Sequence, residues 1–344
     1  MILPGKREVG GLMNKNINLI KEANLNTLRS ALREAVKATK PQLAQLTGLS
    51  VVTVNSLISL LLKSGEVLPD TLLNSDGGRP AASYRYNSRH RLALVIYKHE
   101  VQGKDTAFYC VIDLRGQVVE RSQTALSDVT VESFDTEIES YVEKYPQIQI
   151  LCFGIPGEEV NHRLIISDYP HMREQSLTRH GEEKFKRPVL VENDVNAAIM
   201  GHCKNMGIDN SQCVIGLYFP DKYPPGAGIC MNGDIWRGRN GLAGEIKFLP
   251  LGIQWDTFDY NPLVLKEIVV KTIQAFSCTL NPDRIVLYGN GCDETLLPLL
   301  LSRFTSSPEE MLLPEILFVN SISSDFEAGI IHLALKRILD APSL

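Results

Sequence analysis

Glu192-Asn193-Asp194 follows a short apolar run, Val189-Leu190-Val191, and opens a helical pattern that continues through Val195-Asn196-Ala197-Ala198. Polar residues at the carboxyl end of a buried strand are where α/β sheets place ligands. A carboxylate there is placed to accept a proton from one hydroxyl of a polyol, while the neighbouring amide hydrogen-bonds a second. The same residues would equally well cap the helix they precede, because Asn and Asp are favoured at that position. Gly241-Leu242-Ala243-Gly244-Glu245 offers another carboxylate, framed by glycines. It either reaches the same polyol or stands on a surface loop.

A different chemistry is written at Ser50–Gly65. Gln42–Leu46 has a short helical pattern, which Thr47-Gly48-Leu49-Ser50 breaks. Gly48 suits the left-handed conformation of a tight turn, and Ser50 is a ready N-cap. The next helix gathers Val51, Val54, Leu57, Ile58, Leu61 and Leu62 on one side. That leaves Ser50, Val52, Thr53, Asn55, Ser56 and Ser59 outward, short side chains able to approach base edges in a major groove. An ordinary surface helix pair would show the same pattern. Beyond Glu66–Pro69, a polar loop ends in Gly77-Gly78-Arg79-Pro80, and Ala82–Tyr86 alternates like a strand. Two helices and a two-stranded wing make the winged variant of the motif. Arg79 at the loop tip would suit a narrow minor groove, or simply be a solvated turn residue.

Charge divides along the same line. Residues 1–89 hold twelve Lys and Arg against six Asp and Glu, a formal +6. The remaining residues hold twenty-three against thirty-four, −11, so that the whole chain stands at −5. Such asymmetry points to a nucleic-acid-facing end joined to a different body. The reading helix contributes only Lys63, so phosphate contacts fall to Lys15, Lys21, Arg29, Arg33, Lys37, Lys40 and the wing. Modest affinity per half-site follows, and with it binding as a dimer.

At 344 residues and 44% hydrophobic, the chain is long enough for more than one core. Met1–Gly11 carries charges where an export signal would be apolar, and no run reaches membrane-spanning length, so a cytoplasmic location is expected. The seven cysteines are dispersed and form no C-x-x-C, which reads as reduced thiols without a disulfide framework or zinc cluster.

The elements that must position these residues form an α/β body. Strands are expected at Arg91–Tyr97, Asp105–Asp113, Gln117–Gln123, Ile148–Phe153 and Val189–Val191, with a helix over Val131–Lys144. A second round has strands at Cys213–Phe219, Gly226–Met231 and Arg284–Tyr288, and helices at Leu263–Thr279, Asp293–Phe304 and Asp325–Leu339. Two similar rounds argue for two lobes with a cleft between them.

Thr47–Ser50 with Thr53-Val54, Gly77–Pro80, Gly154-Ile155-Pro156-Gly157, Glu192–Ala198 and Gly241–Glu245 occur in one order that resembles the ROK family of repressors, open reading frames and sugar kinases. The most specific pieces are E-N-D-x-N-A-A and Ala243-Gly244-Glu245-Ile246. The resemblance implies a two-lobed, actin-like and ribonuclease-H-like α/β fold with an N-terminal winged helix-turn-helix. Residues 1–88 would form the DNA-binding domain, 89–197 the first lobe with 325–340 packing back on it, and 198–324 the second lobe. Asp194 matches the base with which family kinases activate a sugar hydroxyl.

The departures from that pattern matter as much. Where the family has a glycine-rich phosphate loop, Ile96–Gly103 offers no cradle of backbone amides. Where a second is expected, Lys222-Tyr223-Pro224-Pro225 has two prolines, which remove two donors. The family histidine after Gly244-Glu245-Ile246 is replaced by Phe248, preceded by Lys247, and Leu249–Pro262 lacks the cysteines of the zinc knuckle. A sugar-contacting asparagine would fall near Tyr169.

The sequence therefore reads as a DNA-binding transcriptional regulator, a repressor of carbohydrate genes, without catalysis, metal or cofactor. Its partners would be a double-stranded operator, an inverted repeat bound by a dimer or dimer of dimers, and a sugar-like effector held by Asn193, Asp194 and Glu245. An ATP-dependent sugar kinase and a ligand-independent DNA-binding scaffold are the alternatives.

Overall fold

The computed structural model describes residues 6–75, 78–101, 103–259, 261–289, 292–304 and 312–340, and their side chains except at 6–18, 71–75, 78–81 and 256. The chain divides into two compact units, Met1–Arg91 and Leu92–Leu344.

In the first unit, helix α1 (Lys6–Ala35) buries Leu25, Leu28 and Leu32 on one face. Val36 takes a positive φ and turns the chain into the short strand β1 (Lys37–Thr39). Thr39 then starts α2 (Lys40–Thr47) with a reciprocal capping box: its hydroxyl accepts from the Gln42 amide, and Gln42 Oε1 accepts from the Thr39 amide at 2.8 Å. Gly48 ends that helix at φ 70°, and Ser50 Oγ accepts from the Thr53 amide at 3.1 Å to begin α3 (Val51–Lys63). The two helices meet at 110°, within the range of helix-turn-helix pairs. Val54, Leu57, Ile58 and Leu61 form the buried stripe of α3. Val51, expected on that stripe, is exposed instead.

Strands β2 (Val67–Ser75) and β3 (Gly78–Tyr86) complete an antiparallel sheet in the order β1-β3-β2. The polar stretch expected to be a loop is largely paired strand, with Ser75 opposite Gly78. Arg79 thus sits in β3, one residue beyond that pair. Its side chain lies outside the described residues, as does the whole of Gly77. The Arg29 guanidinium clamps Glu66 with two hydrogen bonds, 2.6 and 2.9 Å long, tying α1 to the start of the hairpin.

The second unit repeats one sheet plan twice. Strands β4 (Leu92–Val101), β5 (Lys104–Asp113) and β6 (Val118–Ala125) run antiparallel. After α4 (Asp135–Lys144), β7 (Ile148–Ile155) pairs parallel with β4. A hairpin, β8 (Gly157–Val160) and β9 (Arg163–Ser167), and helix α5 (Leu177–Phe185) precede β10 (Val189–Asn193), parallel to β7. The resulting order is β10-β7-β4-β5-β6. Helix α6 (Asp194–Asn205) leads to β11 (Val214–Tyr218), β12 (Gly226–Met231) and β13 (Asp234–Ile235). Helix α7 (Pro262–Leu280), β14 (Arg284–Tyr288), α8 (Leu297–Arg303) and β15 (Glu315–Val319) follow, giving β15-β14-β11-β12-β13. Three antiparallel strands extended by two parallel ones recur in both sheets. Each sheet has its own apolar core, one around Ile96, Tyr109 and Phe153, the other around Leu217, Ile273 and Leu287.

Two helices join the cores. α6 packs on β11 and β12 of one sheet, while the closing helix α9 (Ser323–Asp340) packs on β4 and β7 of the other. They cross closely because a Cβ at Gly201 would lie 1.9 Å from the Asp325 carbonyl oxygen, and one at Gly329 1.7 Å from that of Ala197. Only glycine permits this approach. Beneath the crossing, the Asp325 carboxylate accepts from Tyr288 Oη at 2.8 Å and lies 3.0 Å from His202 Nδ1. The lobe boundary expected after residue 197 falls within α6.

Candidate functional site: a polar cleft at the strand ends

The carboxyl ends of β4, β10 and β11 open on a cavity of about 310 Å³. Asn193, Asp194 and Glu245, far apart in sequence, all line it. Asn193 is the N-cap of α6: its Oδ1 accepts from the Val195 and Asn196 amides at 2.9 and 3.1 Å. Its Nδ2 donates to the Gly157 carbonyl at 3.4 Å. Both ends of that amide are therefore engaged in holding β8 and α6 together, and the capping alternative describes this residue. Asp194 follows at the first helical position, where its Oδ1 accepts from the Val195 amide at 2.9 Å. Glu192 is buried, accepts from Asn196 Nδ2 at 3.2 Å and is paired with Arg237, so its side chain is committed to holding the strand end and the helix.

Gly244 explains how Glu245 reaches the cavity. At φ 97° its Cα faces β12 so closely that a Cβ would lie 2.0 Å from the Ala227 carbonyl oxygen. The Ala227 amide donates to the Gly244 carbonyl at 2.8 Å and fixes the turn. Glu245 then projects inward, with Lys247 Nζ at 3.5 Å. Phe248, which stands where the family has a histidine, is 69% exposed, and Lys247 is the residue of this segment that lines the cavity.

Asp168 and Lys98 complete the polar wall, and neither stood out in the sequence. Asp168 lies just beyond the β8–β9 hairpin, beside the position Tyr169. Lys98 opens the polar end of β4, Lys98-His99-Glu100, and is buried with Asp105 at 2.5 Å and the Tyr169 ring centroid at 5.0 Å. The sequence carried no signal for it, because the expected strand ended at Tyr97 and a lysine is seldom buried without a partner.

Burial is the main cause of the electrostatics here. It lifts the Asp194 carboxyl to about 7, aided by the charge of Asp168 and opposed by the Val195 amide. It lifts Asp168 to about 6 against the pull of Lys98 and Lys247. Glu158 on β8 is pushed to about 8 by burial and then by Glu192 and Glu245. Near pH 7 these groups exchange between a donor and an acceptor form, a combination suited to hydroxyl ligands.

The two segments facing this space differ from a glycine-rich cradle. Ile96–Val101 is strand paired with β5 up to Val101 opposite Lys104, and with β7 as far as Tyr97. Pro224 and Pro225 line the opposite side and have no amide hydrogens to offer.

In the first unit, the expected outward face of α3 is observed at Val52, Asn55, Ser56 and Ser59, all exposed, whereas Thr53 is half-buried. Ser50 Oγ lies 2.8 Å from Thr53 Oγ1, and Ser59 Oγ donates to the Asn55 carbonyl at 2.9 Å. Among the described residues, no single helix is long and apolar enough to cross a membrane.

Residues 101–254 match the ROK family model. A stretch of 251 residues, 70% of this chain, is 24% identical to the xylose repressor of Bacillus spizizenii and spans 62% of that protein's length. Over 264 residues, 72% of this chain, the identity to the DNA-binding transcriptional dual regulator NagC of Escherichia coli K12 is 25%, again across 62% of the relative. Among solved structures, a ROK family transcriptional regulator homologous to the Escherichia coli MLC protein superposes with a TM-score of 0.63 at 15% identity. That likeness covers 93% of this chain and 98% of the other, and it concerns the fold.

Proposed function

We propose that this chain, whose residues 101–254 match the ROK family model, is a sequence-specific DNA-binding transcriptional repressor whose second unit binds a sugar-class effector and transfers no phosphate. The observation that carries the reading is the pairing of two features in one chain. One is a capped helix-turn-helix with an antiparallel hairpin and a short-chain outward face. The other is a polyol-sized cleft whose phosphate-facing segments are a closed hairpin and a proline pair.

The relatives named as repressors support the first half, and the +6 balance of residues 1–89 supports duplex DNA as its partner. Asp194, Asp168 and Glu245 are the groups that would hold hydroxyls, with Asn193 positioning the helix beneath them. Binding to an inverted repeat as a homodimer would offset the shortage of basic residues on α3. An effector alters DNA binding only through its different affinities for two forms of the protein.

Genome-wide mapping of bound sites tests the DNA reading, since the genes beside them identify the effector class. Calorimetry against hexoses, pentoses and amino sugars, on the wild type and Asp194→Ala, tests the cleft. ATP turnover in the presence of any of these sugars would overturn the non-enzymatic reading.

A further inference from the structure

The outward face of α3 separates into side chains that serve the helix and side chains that do not. Ser50 and Thr53 are engaged with each other at the N-cap, and Ser59 bonds back to the Asn55 carbonyl. Val52 is 81% exposed, a β-branched apolar side chain in the first turn that adds nothing to the buried stripe. Asn55 is held from outside its own helix: Lys40 Nζ, at the start of α2, donates to Asn55 Oδ1 at 2.5 Å. The same ammonium lies 5.3 Å from the Tyr84 ring centroid, which fixes it from a second side.

This contact settles the orientation of the amide. An ammonium has only donors, so the atom facing Lys40 must be the carbonyl oxygen, and Nδ2 faces outward. Asn normally reads adenine by accepting from N6 and donating to N7. The ammonium takes one of the two lone pairs of Oδ1 and makes it a poorer acceptor for N6. What the pair chiefly presents to a groove is donors, from Nδ2 and Nζ. Guanine answers such a pair, because its major-groove edge carries two acceptors, O6 and N7. Val52 lies three residues before Asn55, about 4.5 Å along the helix axis. That is close to the spacing of about 3.4 Å between base pairs.

Resting on the reading of the first unit as a duplex-DNA binder, we infer that α3 recognises a thymine C5-methyl group through Val52 and a nearby guanine through Asn55 and Lys40. Lys40 is a positioning as well as a contacting residue. Without it, Asn55 regains both halves of its amide and the ordinary preference for adenine.

In vitro selection with the full chain, from a duplex library randomised in its core, supplies the probe. In the selected duplex, deoxyuridine then replaces the contacted thymine, and 7-deazaguanine the contacted guanine. The expected result is a roughly fourfold loss from removing the methyl, and at least a fivefold loss from removing N7. Val52→Ala should be insensitive to the first change. Lys40→Met should move the preference at the second position from guanine to adenine. Because the base changes leave the protein untouched, misfolding cannot produce them. Equal deoxyuridine sensitivity in wild type and Val52→Ala overturns the thymine assignment. A Lys40→Met variant that binds all sequences more weakly and still selects guanine overturns the Asn55 assignment, leaving Lys40 as a phosphate contact. Failure to enrich any sequence overturns the DNA-binding reading itself, and this inference with it.

Discussion

Asp168 and Asp194 face one cavity, and after burial it is the charge of Asp168 that does most to hold the Asp194 carboxyl up at about 7. Two carboxyls raised together make the cleft a proton-linked site, and the sign of the linkage is fixed. The ordinary aspartate value is 3.8. A carboxyl raised in the folded state favours folding most at acid pH, and that contribution disappears as pH climbs through the folded value.

Between pH 4 and 7, then, these two aspartates should lower stability as pH rises. Asp194→Asn keeps an oxygen for the Val195 amide and removes the titration. We expect it to match the wild type at pH 4 and to be more stable by about 1–3 kcal/mol at pH 8. Urea unfolding at the two pH values checks this. A variant less stable at pH 8 would refute it.

The opposite sign holds at the helix crossing. Burial alone would raise the Asp325 carboxyl, yet hydrogen bonds from His202 and Tyr288 outweigh it and hold the group below its ordinary value. Its stabilisation should be present above pH 4 and decline in stronger acid. Asp325→Ala leaves His202 and Tyr288 without their acceptor and should cost about 2–4 kcal/mol near neutrality. Calorimetric melting of the variant across pH 3–7 measures both effects.

Gly201→Ala should separate α6 from α9, because the backbone atoms its Cβ would meet, the Asp325 carbonyl and the Gly329 amide, cannot rotate away. We expect a loss of about 1–3 kcal/mol, and more if the helices cannot shift. Alanine at the exposed, helical Lys204 nearby is the control and should change little. Equal urea midpoints for the two variants would show that the crossing is looser than it looks.

In the first unit, Arg29→Ala leaves the buried Glu66 carboxylate without its clamp. A loss of roughly 2–4 kcal/mol is expected, and the Arg29→Leu, Glu66→Leu pair should be milder than either single change. Thermal unfolding of the full chain, followed by circular dichroism, compares them.

Much of this was legible because local signals agreed. Gly48 and Ser50 marked the inter-helix turn, the period of Val54, Leu57, Ile58 and Leu61 marked the buried stripe, and the apolar runs at Ile148 and Val189 marked a central strand and the edge strand beside it. Glu192–Asp194 signalled its place at a strand end through the switch from apolar to polar residues. Less legible were features fixed by tertiary contact. Lys98 looks like the polar residue beyond the end of a strand until Asp105 and Tyr169 surround it. Asp168 enters the cleft only because the β8–β9 hairpin folds back, and that hairpin is too short to carry a periodic pattern. The Asn55–Lys40 contact joins residues fifteen apart whose types predict nothing about each other.

The β4–β5 connection bears on the history open to this chain. Val101 and Lys104 are directly paired, and only Gln102 and Gly103 lie between them. Pairing up to Val101 commits this strand end to the hairpin, and the facing Pro224 and Pro225 have no amide hydrogens to add. A backbone cradle for phosphate would need both sides rebuilt, so no one substitution should confer sugar phosphorylation, and a kinase assay across single variants checks this.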